Sequence, residues 1–190
     1  MTVIYIHGFG GNGEGKKAKQ FRSFFKEQKI NFIAPSLSYI PLLAIKTLEE
    51  LIESYLFLGE KVVLIGSSMG GYFSVFLACK YHLKAVLINP AVQPYETLKR
   101  AIDEGVNYYD GSRFEWNESY LAMLKELDTQ VENPKNFMLL VQKGDEVLDY
   151  AYAVAKLEGA LQYVEEGGDH SFVGVERYFT SALEFLESFE

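Results

Sequence analysis

Residues Gly66-Ser67-Ser68-Met69-Gly70 carry the spacing G-x-S-x-G, with the apolar run Val62–Ile65 before them and a largely apolar stretch, Gly70–Tyr81, after. A serine hydroxyl is a poor nucleophile unless a base lies beside it and its oxygen is exposed. A tight turn from strand to helix gives that exposure. The central residue then sits in strained backbone geometry, and glycine is needed two positions away on either side because a side chain there would clash. The spacing selects Ser68 over Ser67. The first amides of the following helix are unpaired donors with partial positive charge, aimed at the same centre. Gly71 lets that helix pack closely on the sheet. Three fixed positions of common residues recur by chance in about 6% of chains this long, so the flanking strand and helix carry the argument more than the bare motif.

A base for Ser68 should be a histidine, titrating near neutrality, and activity should then rise across roughly pH 6 to 8. The chain has three: His7, His82 and His170. His82 ends the helix after the turn and reads as its C-terminal cap. His7 follows the first strand in "HGFGG". His170 lies in "EEGGDHSF", between the last strand and the last helix, where glycines let the backbone bring the ring close; it is the preferred base. A carboxylate must fix the tautomer of that ring. Asp145, Glu146 and Asp149 all follow the penultimate strand. Asp145 stands nearest the strand end and is preferred, while Asp149 reads as a helix N-cap. Asp169 adjoins His170, and sequence neighbours rarely project toward one another. Acyl transfer also needs donors for the developing oxyanion. The expected pair is the backbone N–H of Met69 and that of Phe9, in the loop "HGFGGNGEG". His7, Gly8, Phe9 and Trp116 are candidate substrate contacts, with Phe114, Tyr108 and Tyr109 as further candidates for an apolar acyl wall. A phosphate-binding loop is a poor fit, since no G-K-[ST] follows and G-x-G-x-x-G is unmatched.

Elements able to position these residues alternate along the chain. Val3–Ile6, "NFIAP", Val62–Ile65, "KAVLINP", Phe137–Val141 and Leu161–Val164 read as strands, several apolar at every position and so covered on both faces. Between them lie helical patterns near Glu14–Gln28, Ile45–Leu56, Gly70–Tyr81 and Asp149–Leu157. A last helix faces inward through Val175, Tyr178, Phe179, Ala182, Leu183, Leu186 and Phe189. Such alternation implies an α/β fold with a parallel sheet and helices on both faces. Ligands then bind beyond the carboxyl ends of the strands. The pattern breaks over residues 92–135, which hold helical pieces at Tyr95–Ile102 and Tyr120–Leu127 and the polar aromatic stretch "NYYDGSRFEWNES". This is read as a cap- or lid-like insertion within a single domain, 1–190.

The 190 residues suit one domain. They carry a net charge of −8 and no run of Lys or Arg, so nothing draws in a nucleic-acid backbone. The lone Cys79 excludes an internal disulfide and fits a reducing compartment. The N-terminal apolar run is too short for a signal peptide or membrane span. A cytoplasmic location is expected, with no cofactor or metal. Aromatic content, at 15%, is rich, and most of these rings are expected to pack the core.

Together "YIHGFGG", "IGSSMGGY", "GDEVLDY" and "EGGDHSFVGVERYF" resemble the α/β-hydrolase superfamily, in particular the small bacterial YqiA-like esterases, over nearly the whole chain. The resemblance implies a Ser–Asp–His triad in that chain order, which matches Ser68, Asp145 and His170. It implies hydrolysis of short-chain acyl esters without a metal, with acyl-CoA thioesters as an alternative small-molecule substrate. A non-catalytic binding protein on a hydrolase fold is the rival from another class. The chain begins at the strand carrying the oxyanion loop, so the resemblance implies a reduced α-β-α sandwich of about six mainly parallel strands, with a helical insertion after the fourth.

Overall fold

The computed structural model describes residues 1–188. Four buried, largely apolar strands and two more exposed edge strands form a single parallel sheet. They are β1 (Thr2–Ile6), β2 (Asn31–Ile33), β3 (Val62–Ser67), β4 (Ala85–Ile88), β7 (Phe137–Gln142) and β8 (Leu161–Glu165), in the order β2-β1-β3-β4-β7-β8. Every pairing in it is parallel, with Ile6 beside Gly66, Ser67 beside Ile88, and Gln142 beside Glu165. All the carboxyl ends therefore open on one edge. No helix among the described residues is long and apolar enough to cross a membrane.

Strand side chains alternate between two cores. Ile4, Ile6, Leu64, Leu87 and Leu139 face α2 (Pro41–Phe57), α3 (Met69–Tyr81) and the 92–135 segment. Val3, Tyr5, Ile65, Val86 and Leu140 face α1 (Lys16–Glu27) and α7 (Phe179–Glu187). Burial on both sides explains why the central strands show no polar alternation. α3 is enclosed nearly all round, which accounts for its lack of a polar face.

The fold is thus the expected three-layer sandwich, and the structure refines its details. The 92–135 segment contains α4 (Pro94–Thr97), which passes into a 3-10 turn over Leu98–Ala101, and α5 (Glu118–Glu126). Between them lies a small antiparallel hairpin, β5 (Gly105–Val106) with β6 (Arg113–Phe114), within the segment expected from sequence to be a helical insertion. Strands of two residues leave no alternation to detect. The last helix likewise begins as a 3-10 turn, Val175–Tyr178. Phe189, assigned from sequence to its inward face, lies outside the described residues. Helix α6 (Tyr150–Lys156) starts on Asp149, whose Oδ1 accepts from the Ala151 amide at 2.9 Å.

Candidate active site

Ser68 joins β3 to α3 as the N-cap of α3, with φ 56° and ψ −122°, a left-handed backbone that a serine adopts only under constraint. The flanking glycines show what enforces it. A Cβ on Gly70 would run into the Ile6 carbonyl and stand 2.6 Å from His7 O. One on Gly66 would strike Ser74 Oγ and Gly70 O. Apart from the Ser74 hydroxyl, these neighbours are backbone atoms that cannot move aside. Gly70→Ala should therefore lower unfolding stability by about 3 kcal/mol, read from the urea midpoint. Ser67 points to the other face, is 4% exposed and bonds the Tyr5 hydroxyl, so it is occupied in the core.

Three side chains from three elements meet at this turn. His170 Nε2 lies 3.0 Å from Ser68 Oγ, and His170 Nδ1 lies 2.8 Å from Asp145 Oδ2 and 3.0 Å from Oδ1. Asp145 Oδ1 also accepts the Val147 and Leu148 amides, each at 2.9 Å. Burial works against the Asp145 carboxylate, but the His170 bond and those amides outweigh it and hold its pKa below the ordinary carboxylate value. The side chain of Asp145 is 3% exposed and that of His170 is 23% exposed, so the relay runs from the interior to the open hydroxyl. Glu146, the neighbouring carboxylate, accepts the His170 amide at 3.0 Å. Asp149 stays at its helix cap, and His82 caps α3 in a left-handed conformation (φ 54°), at the opposite end of the helix from Ser68.

The loop after β1 passes against the serine: a Cβ on Gly8 would lie 3.1 Å from Ser68 Cβ and 3.5 Å from its Oγ. Among the described residues, neither the Phe9 nor the Met69 amide has a hydrogen-bond acceptor. His7 is pinned at both nitrogens. Nδ1 donates to Gly8 O at 2.9 Å and Nε2 accepts from Leu37 N at 3.0 Å, so the ring is the neutral Nδ1–H tautomer and holds the loop. Burial depresses its pKa, in keeping with that neutral form.

A cleft of about 1200 Å³ opens over Ser68 and His170. Its lining is mixed: Leu98, Ala101, Val106 and Val147 are apolar, while Asn12, Lys17, Gln20, Arg100 and Glu104 are polar or charged. His7, Gly8 and Phe9 reach it as expected, but Trp116 does not. Its side chain is 0% exposed, packed edge-on to Phe9 with centroids 4.7 Å apart, and Nε1 donates to Leu98 O at 3.2 Å. Trp116 is thus a core residue behind Phe9, away from the cleft lining. Phe114 also packs on Phe9, at 5.4 Å, and Tyr108 N donates to Gly10 O at 2.8 Å, so the insertion grips the loop after β1.

Sequence reading passes over Asn89, just beyond β4, and Gln142, the last residue of β7. Both are 2% exposed and hydrogen-bonded to the loop that carries His170. The available signal was a polar residue closing an otherwise apolar buried strand. Beside them, Glu165 accepts bonds from Arg177, Gln142 and Tyr178. The Arg177 guanidinium above all pulls its pKa down to about 2. A depressed carboxylate stabilises the fold above its unfolded pKa and loses that contribution as pH falls through the folded one. The stability gap between wild type and Glu165→Gln, measured by urea unfolding, should accordingly be constant near neutrality and close between about pH 4.5 and 2.

The family model described as "Uncharacterised protein family (UPF0227)" matches residues 2–187. The UPF0227 protein YcfP of Salmonella paratyphi A is 23% identical over 179 residues, 93% of each chain. Among solved structures, Est1E from Butyrivibrio proteoclasticus, bound to ferulic acid, superposes with a TM-score of 0.73 at 14% identity, covering 97% of this chain and 87% of that one. Alpha/beta hydrolase domain-containing protein 10 from mouse gives 0.72 at 18% identity, covering 98% and 89%. At these identities the likeness is one of fold: the sandwich is that of the α/β hydrolases.

Proposed function

We propose that this chain, which belongs to the UPF0227 family, is a serine hydrolase that cleaves short-chain acyl esters through an acyl-enzyme. The observation that carries the reading is the unbroken hydroxyl–imidazole–carboxylate chain, 3.0 Å and then 2.8 Å, set on a strained turn in an open cleft. An isolated loop histidine has no reason to meet both groups at once. The hydrolase fold of its structural neighbours supports the same reading.

In this mechanism Ser68 Oγ attacks the ester carbonyl carbon while His170 Nε2 takes its proton. The carbonyl electron pair moves to oxygen, where the Phe9 and Met69 amides hold it. Collapse of the tetrahedral species breaks the bond to the alcohol, which leaves with the proton from His170. Water then attacks the acyl-enzyme, again giving a proton to His170, and the acid departs with Ser68 restored. Asp145 holds the ring and stabilises the imidazolium. Leu98, Ala101, Val106 and Val147 supply apolar lining for the acyl chain. Residues 92–135 act as the cap, and the polar lining takes the leaving group.

The experiment is labelling by a fluorophosphonate probe, followed by turnover on p-nitrophenyl esters of increasing chain length and on acyl-CoAs. Labelling at Ser68, with a maximum of kcat/KM on short esters, is expected. A maximum on acyl-CoAs would make it a thioesterase on the same relay. Failure to label would leave a binding protein on a hydrolase fold.

A further inference from the structure

We propose that Asn89 and Gln142 are positioning residues that set the imidazole of His170 by clamping its loop; the proposal rests on the serine-hydrolase reading above. The loop begins with Gly167 and Gly168, both at positive φ (67° and 79°). Such a sequence has wide conformational freedom, and ordering it costs roughly 1–2 kcal/mol per residue. Something must hold it where His170 bridges Ser68 and Asp145.

The two buried amides do so by their chemistry. Asn89 Nδ2 donates to Asp169 O at 2.9 Å and to His170 O at 3.2 Å, while Oδ1 accepts the Gln142 amide at 3.0 Å. Gln142 Oε1 accepts the Asp169 and Val173 amides, at 3.2 and 2.9 Å, and Nε2 donates to Val173 O and Glu165 Oε2, at 2.9 and 2.8 Å. All four bonding positions of that amide are used. The bonds bracket His170 on both sides, and they come from the ends of the two strands between Ser68 and the loop. Asn89 itself has φ 39°, a region that asparagine tolerates better than most residues. Gly168 fits the same arrangement, because a Cβ there would overlap the Gln142 amide.

Neither side chain bonds Ser68 or the imidazole, so their effect reaches the chemistry through backbone. Two buried amides at the end of an apolar sheet carry a desolvation cost that only full bonding offsets. What they add is orientation, and a displacement of about 1 Å in a reacting group can cost 10²-fold in rate.

Asn89→Ala and Gln142→Leu test this. Each should lower kcat on a short p-nitrophenyl ester by about 10²-fold with KM within about threefold. The fluorophosphonate labelling rate should fall in parallel, and the low-field proton NMR signal of the His170 Nδ1–H should broaden away while thermal melting stays cooperative. Asn89→Asp, which keeps the acceptor for Gln142 but loses both donors to the loop, should be as slow as Asn89→Ala. Folded variants with unchanged kcat and an intact low-field signal would overturn the proposal. If the variants do not fold, wild-type hydrogen exchange decides: the Asp169 and Val173 amides should exchange far more slowly than that of Gly167, and equal rates would overturn it. A wild type that neither labels nor turns over would defeat the serine-hydrolase reading alone, because the NMR signal and the exchange rates still report on the clamp.

Discussion

Ser68→Ala should abolish about six orders of magnitude of turnover on a short-chain p-nitrophenyl ester. In the proposed mechanism the hydroxyl forms the acyl bond, and alanine offers no substitute. What remains should be the 10³–10⁴-fold acceleration over water that oxyanion donors and binding supply without a nucleophile. The change is otherwise small. Alanine occupies the same left-handed backbone at a strain similar to that of serine. The bonds of His170 to Asp145 are untouched. Stability by urea unfolding should stay within about 1 kcal/mol of wild type. Full activity in the alanine variant would remove Ser68 from the mechanism.

Asp145→Asn should lower kcat by about 10⁴-fold, and the geometry says why the loss is so large for one atom. Asp145 Oδ1 is held by the Val147 and Leu148 amides, which require an acceptor. An asparagine must therefore keep its oxygen at that position and turn its NH₂ toward His170 Nδ1, now where Oδ2 lies at 2.8 Å. That donor forces the ring proton onto Nε2, which then faces the Ser68 hydroxyl as a donor and cannot take its proton. Asp149→Asn is the control. Asparagine caps a helix as well as aspartate does, so kcat should stay within about twofold; a collapse there instead would move the acid to Asp149. The same variant at Asp145 should also reduce stability in a pH-dependent way. The wild-type carboxylate contributes above its unfolded pKa, and the contribution fades as pH falls through the lower folded value.

Where sequence reading succeeded, the signal was short-ranged. The all-apolar strands announced a sheet covered on both faces, and the polar break between them marked the turn at Ser68. Asp149 was legible as a cap from its place before a helical run. Where it fell short, the deciding neighbour was remote in sequence. From sequence, Trp116 is a candidate substrate contact, one of several rings able to line an apolar acyl site. The structure buries it behind Phe9, a ring more than a hundred positions earlier. The β5–β6 hairpin escaped because its strands are too short to show a period. Asn89 and Gln142 escaped because each looks unremarkable until the loop of His170 is seen lying across both.

The sequence alone determined which residues could do chemistry and in what local setting. Strain relieved by glycine, strand alternation and helix periodicity are properties of adjacent residues, so they are written in adjacent letters. Only the tertiary structure decided that Ser68, Asp145 and His170 meet, that His7 is spent on holding a loop, and that two buried amides grip the backbone of the base. Those facts follow from strand order and register, which place β4 and β7 between Ser68 and the loop of His170. Contacts of that kind depend on how separate elements pack, and no short window of sequence contains both partners.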